Sequence, residues 1–207
     1  MVVYYRTQGI ILRKQDADEA DRVFTIFTKD FGKLKLRAVS ERKITSKLRG
    51  GLELFYLSEI EFIQGRARKT ITDAILLCRY PVLRGDLERL RIMHRFAEIT
   101  DELTGGQEQD EKIWNLLQEV LVVLNEPLLR ARDVKVLGYY FLWNLLSLSG
   151  YSPSLAEIAD QDAQVAEFIG ALLKSDGETL QNVKIQGINE ALLRTISQEH
   201  LLKISQN

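Results

Sequence analysis

The sequence predicts an α+β fold: a five-stranded β-barrel at the N-terminus followed by an all-α helical domain. Three observations carry this. Before residue 80 the apolar residues fall in short alternating runs separated by turn signals; after it they recur at helical spacing in longer stretches. Charge divides at nearly the same place, with residues 1–72 at net +6 and residues 73–207 at net −7 within a formal total of −1. Gly9 interrupts the first apolar run, as glycine does where a barrel strand turns a corner. The expected domains are 1–80, nucleic-acid-binding, and 81–207, a helical bundle.

The strands follow in order. VVYYRTQGIILRK, residues 2–14, holds Gly9 in mid-run, and RVFTIFT, 22–28, is rich in aromatic and β-branched residues. The turn KDFG joins it to GKLKLRAV, so the two read as a hairpin with Gly32 at positive φ. ELFYLSEIEFI, 53–63, and RKTITDAILL, 68–77, flank a second hairpin signal, QGRA. Five short strands bent by a glycine suggest a small, partly open barrel of the OB type; an SH3-like barrel has much the same pattern.

The helices come next. Asp86 is a candidate N-cap for 86–103, with Ile92, Phe96, Ile99 and Leu103 on one stripe. Asp110 starts 111–124, and Pro127 prevents continuation. Residues 133–149 are apolar on nearly every face, which places that helix at a bundle centre, and Gly150 ends it. Two more are expected near 162–174 and 189–204, for about five in all.

Composition excludes several classes. The chain is 45% hydrophobic and 28% charged, an ordinary globular balance. No apolar run reaches the ~18 residues of a membrane span, and MVVYYRTQGIILRK does not read as a signal peptide. A single cysteine, Cys78, suits a reducing cytoplasm and reads as a small buried hydrophobe. There is no phosphate loop and no dinucleotide fingerprint. His94, His200 and Cys78 are scattered, short of the four ligands of a structural zinc site. The acidic turn containing Asp16, Asp18, Glu19 and Asp21 reads as a solvated loop. No catalytic constellation and no cofactor are expected, so the chain is read as a non-enzyme.

Residues 32–50 hold seven Lys or Arg and a single acid, Glu41. Alternation puts Lys33, Lys35 and Arg37 on one strand face and Leu34, Leu36 and Ala38 on the other. Arg42, Lys43, Lys47 and Arg49 follow in a polar segment, and Arg66, Arg68 and Lys69 lie at a second turn. A solvated strand face explains the row alone. The added loop cations, uncompensated locally, are better explained by a line of phosphates. Arg22 shares a strand face with Phe24. Single strands are also held by stacking, for which Phe31, in the hairpin turn, and Phe24 are the candidates.

TQGIILRKQDADEADRVFTIFTKDFGKLKLRAVSERKITSKLRGGLELF resembles the N-terminus of the RecO recombination mediators. The features that carry the resemblance are Gly9 to Arg13, Glu19 to Arg22, Phe27-Thr28, Gly32-Lys33 and Arg42 to Leu48, within a correspondence covering roughly residues 5–77. LLSLSGYSPSL, 145–155, resembles the family's helix end with Gly-Tyr and Pro. Many members lead from there into a four-cysteine zinc site; here AEIAD follows without cysteine, so the resemblance implies no metal. It implies an OB fold joined to a helical domain and binding of single-stranded and double-stranded DNA. It further implies annealing of complementary strands and loading of recombinase onto coated strands. The implied partners are a RecR-like mediator and the acidic tail of single-stranded DNA-binding protein. For that tail, LLRARDVK offers Arg130, Arg132 and Lys135 beside apolar residues; a linker with solvated charges is the competing reading. Rival functions are an RNA-binding module, a scaffold for an acidic protein and, least supported, an enzyme.

Overall fold

The computed structural model describes residues 3–177 and 179–205. Among them are five strands, β1 (Tyr4–Ala17), β2 (Asp21–Thr28), β3 (Gly32–Ala38), β4 (Leu57–Gln64) and β5 (Lys69–Cys78). Seven α-helices follow: α1 (Pro81–Arg84), α2 (Leu87–Leu103), α3 (Glu111–Leu124), α4 (Ala131–Leu148), α5 (Leu155–Gln161), α6 (Ala163–Lys174) and α7 (Glu190–Ser205). Two compact units divide the chain, one running through Asn115 and the other starting at Leu116. No described helix is long and apolar enough to cross a membrane.

In the first unit the strands close in the order β1-β2-β3-β5-β4, with β1 paired antiparallel to both β2 and β4. That is the OB arrangement. A single parallel pair, Arg37 with Thr70, joins β3 to β5. Alternation explains the core: Leu34, Leu36 and Ala38 point inward with Phe24, Ile26, Ile60 and Phe62. Gly9 bonds with β2 on one side and β4 on the other, opposite Thr28 and Ser58. A Cβ at Gly9 would lie 2.5 Å from Ile26 Cγ2, so the glycine permits close approach; the register shift itself falls later, between Ile11 and Arg13.

The KDFG turn forms the expected hairpin, with Gly32 at φ +60°. Thr28 fixes it, its hydroxyl donating to the Gly32 carbonyl at 2.7 Å and accepting from the Phe31 N–H at 3.2 Å. The fourth strand departs from expectation. It begins at Leu57 rather than Glu53, because Phe55 takes φ +64° and buries its ring, which breaks the extended run. Cys78 is half-exposed rather than buried, at the barrel's end, and its side chain hydrogen-bonds Tyr80.

Asp86 caps α2 as its position suggests, accepting from the N–H groups of Glu88 and Arg89, and Asp110 accepts from Ile113. In the second unit α4 is buried at four consecutive positions, Tyr140, Phe141, Leu142 and Trp143, so that turn has no solvent face. Gly150 follows at φ +88°. The short α1 and α5 were not expected: each has under three turns, too few for a periodic stripe. Ser154 caps α5, and Asp162 stops it and caps α6.

Candidate nucleic-acid interface

β3 presents Lys33, Lys35 and Arg37 on its outer face, as alternation requires, but the three cations are not equivalent. Lys33 is only 15% exposed and its ammonium lies 3.0 Å from Asp101 Oδ1 on α2. Arg37 donates through Nε to Asp21 at 2.7 Å and through Nη2 to Asp18. Only Lys35 of the row is exposed without an ion pair. The expectation of three free cations in a row is corrected accordingly: Lys33 and Arg37 are neutralised by acids of the same unit.

Arg22 and Arg42 are corrected in the same way. Arg22 donates to Asp16 at 2.8 Å and to Glu41 at 3.1 Å, and Arg42 lies 3.5 Å from Asp16. The acidic turn is solvated at Asp16, Asp18 and Glu19, as expected, but Asp16, Asp18 and the sheltered Asp21 are also ion-paired. The β1–β2 register sets Asp16 opposite Arg22, and the β2–β3 register sets Val23 opposite Arg37, which carries the turn over the basic residues. The guanidinium of Arg22 holds the Asp16 carboxyl below the usual range. The Ser40 N–H, and after it Arg37, does the same for Asp21.

Among the described residues, seven of the nominated cations of this unit carry no ion pair: Lys35, Lys43, Lys47, Arg49, Arg66, Arg68 and Lys69. Five of them lie on or beside the β3–β5 edge, a seam of Lys35, Lys47, Arg49, Arg68 and Lys69, while Arg66 lies in the β4–β5 turn. The parallel pair Arg37–Thr70 brings Lys35 level with Arg68 and Lys69 at the start of β5. The 3-10 turn Lys47–Gly50 packs alongside β5, where a Cβ on Gly51 would lie 2.4 Å from the Ala74 carbonyl oxygen. Lys43 lies in the same β3–β4 connection.

The aromatic candidates separate. Phe24 is fully buried in the barrel core and cannot stack on a base; β2 turns it inward opposite Leu36. Phe31 is half-buried, edge-on to Tyr5 at 5.8 Å and to Phe62 at 5.6 Å. Tyr5, which alternation did not single out, stacks on Phe62 at 5.3 Å. Two ring edges already hold Phe31, leaving only part of its face open.

In the second unit the three proposed tail contacts are all paired, Arg130 and Arg132 with Asp133 and Lys135 with Glu190. All three remain exposed, as the competing reading of solvated charges has it. Arg130 borders a groove of about 720 Å³ whose lining is apolar at Val123, Leu129, Val136 and Leu180 and acidic at Glu126 and Asp133. Among the described residues no group of three or more His, Cys, Asp or Glu is placed to hold a metal ion.

Residues 1–79 match the family described as Recombination protein O N terminal, and residues 84–202 match Recombination protein O C terminal. A curated protein named DNA repair protein RecO from Roseiflexus sp. (strain RS-1) is 35% identical over 163 residues, 79% of this chain and 56% of that protein. One of the same name from Dehalococcoides mccartyi is 32% identical over 156 residues, 75% of this chain and 60% of its own length. A third, from Pelotomaculum thermopropionicum, is 31% identical over 151 residues, covering 73% and 57%. The chain thus matches little more than half the length of these relatives.

Proposed function

Because this chain belongs to the RecO family, we propose that it is a non-enzymatic DNA-binding protein of recombinational repair, acting in the cytoplasm. Its barrel grips the sugar-phosphate backbone without reading sequence. The observation that carries this reading is the set of seven cations without an ion pair among the described residues, five of them on or beside the β3–β5 edge. Bringing two strands onto one cationic surface lowers their mutual repulsion, which favours annealing. The proposal extends to loading recombinase onto coated single strands, with a RecR-like mediator as partner. The coating protein's acidic tail is proposed as a second partner, for whose carboxylates Arg130 and Arg132 would exchange Asp133.

The test is fluorescence anisotropy of labelled single-stranded oligonucleotides against salt. At about −0.7 per phosphate contact, seven contacts give a log-log slope of about −5, so affinity falls about a thousandfold between about 50 and 200 mM salt. Reversing Lys35, Arg68 and Lys69 to Glu leaves four contacts, a slope of about −3 and a fall of about fiftyfold. Affinity and slope unchanged by the triple reversal remove the seam as the binding site. Preference for a matched RNA strand over DNA assigns the barrel to RNA instead.

A further inference from the structure

The acidic turn treats its arginines in a patterned way. Arg37 has two carboxylate partners, Asp21, whose side chain is 13% exposed, and Asp18, 69% exposed. Arg22 also has two, Glu41 at 1% exposed and Asp16 at 56%. In each case the sheltered carboxylate fixes the guanidinium in place. Asp21 does so while also accepting from the Ser40 N–H at 2.7 Å. The exposed carboxylate of each pair comes from the β1–β2 turn or the strand end beside it. Asp16 additionally reaches Arg42.

We propose that Asp16 and Asp18 are displaceable covers that occupy Arg22, Arg37 and Arg42 until the phosphates of a nucleic-acid strand replace them. The idea rests on the barrel being the nucleic-acid site and names how that site is regulated. A carboxylate and a phosphate oxygen compete for the same guanidinium donors. Exposed ion pairs are weak and screened, so a polyanion already held by Lys35, Arg68 and Lys69 competes for the adjacent arginines at high local concentration. Asp21 and Glu41 stay in place, so the arginines remain oriented as the covers leave. A free mononucleotide lacks the second anchor and leaves the covers seated. The turn therefore favours extended strands over small phosphates, a selectivity that the seam cations alone do not supply.

Glu19 provides an internal control. It lies in the same turn, is exposed, and has no ion pair among the described residues. Asp18→Asn and Glu19→Gln remove one negative charge each from neighbouring positions. At physiological salt, screening acts over about 8 Å, so their general electrostatic effects are alike. Asn also tolerates the left-handed backbone of Asp18, at φ +51°, so the substitution spares the fold.

The experiment measures single-strand affinity for wild type, Asp18→Asn, the double variant Asp16→Asn/Asp18→Asn, and Glu19→Gln. Asp18→Asn is expected to tighten binding about threefold and the double variant about tenfold, on the scale of one and two exposed ion pairs, with Glu19→Gln changing it by less than half as much. Equal gains from Asp18→Asn and Glu19→Gln overturn the proposal, since charge alone then accounts for both. No gain from the double variant, while Lys35→Glu/Arg68→Glu/Lys69→Glu still weakens binding, overturns the covers and leaves the seam standing. Absence of both effects takes the DNA reading down with it.

Discussion

Gly32→Ala should destabilise the barrel by about 2–5 kcal/mol, and the figure has two separable parts. Gly32 sits at φ +60°, where an L side chain costs about 1–2 kcal/mol. Its Cβ would also lie 2.1 Å from the carbonyl oxygen of Glu108. Ordinary contact begins at 3.4 Å, so the backbone at Glu108 must retreat by about 1.3 Å. Overpacking of that kind costs about 1–3 kcal/mol. Gly32→Asn separates the parts, because Asn accepts the left-handed region and keeps only the clash. Gly50→Ala is the opposing control: nothing lies within 4 Å of its Cβ position and its φ is not in the left-handed range. Reduced entropy of the unfolded chain should stabilise that variant by about 0.4–1 kcal/mol. Urea unfolding, with amide exchange of β2 and β3 as the local readout, compares the three. A Gly32→Ala protein within about 0.5 kcal/mol of wild type, well below the sum derived above, refutes the reasoning.

Other outcomes follow from single contacts. Phe62→Ala removes a buried ring stacked on Tyr5 and should cost about 3–5 kcal/mol, read as a lowered urea midpoint. Lys33→Met should leave oligonucleotide affinity within about twofold, because its ammonium already serves Asp101; a loss as large as that of Lys35→Glu contradicts the assignment. Glu119 is held above the usual carboxylate range by burial, although the Tyr140 hydroxyl, donating at 2.9 Å, opposes this. A raised folded-state value means protons bind the folded form more tightly. Its contribution is thus greatest below the unfolded value near 4.5 and is lost as pH rises through the folded one. Thermal stability of Glu119→Gln should therefore exceed wild type at pH 7 and lose that advantage toward pH 4.5; an equal shift at both values counts against it. Asp16 and Asp21, held low, act oppositely, and their stabilisation is lost only as pH falls below about 4.

The sequence by itself determined much of the barrel and the helical half. Period-two alternation from Lys33 to Ala38 sorted cations from core residues, KDFG placed a hairpin with a left-handed glycine, and Asp86 and Asp110 marked helix starts. These are local properties, set by side-chain period and backbone sterics within a few residues. Tertiary structure alone decided which cations stay free. Lys33 and Lys35 are two residues apart on one face, yet only Lys33 meets an acid, Asp101, supplied by a helix 68 positions away. Asp16 opposite Arg22 was in principle legible from the hairpin that joins β1 to β2. Asp18 and Asp21 against Arg37 required the next strand's register as well. Charge along a chain is fixed by composition, but neutralisation depends on distances of a few ångströms between segments, and only folding sets those.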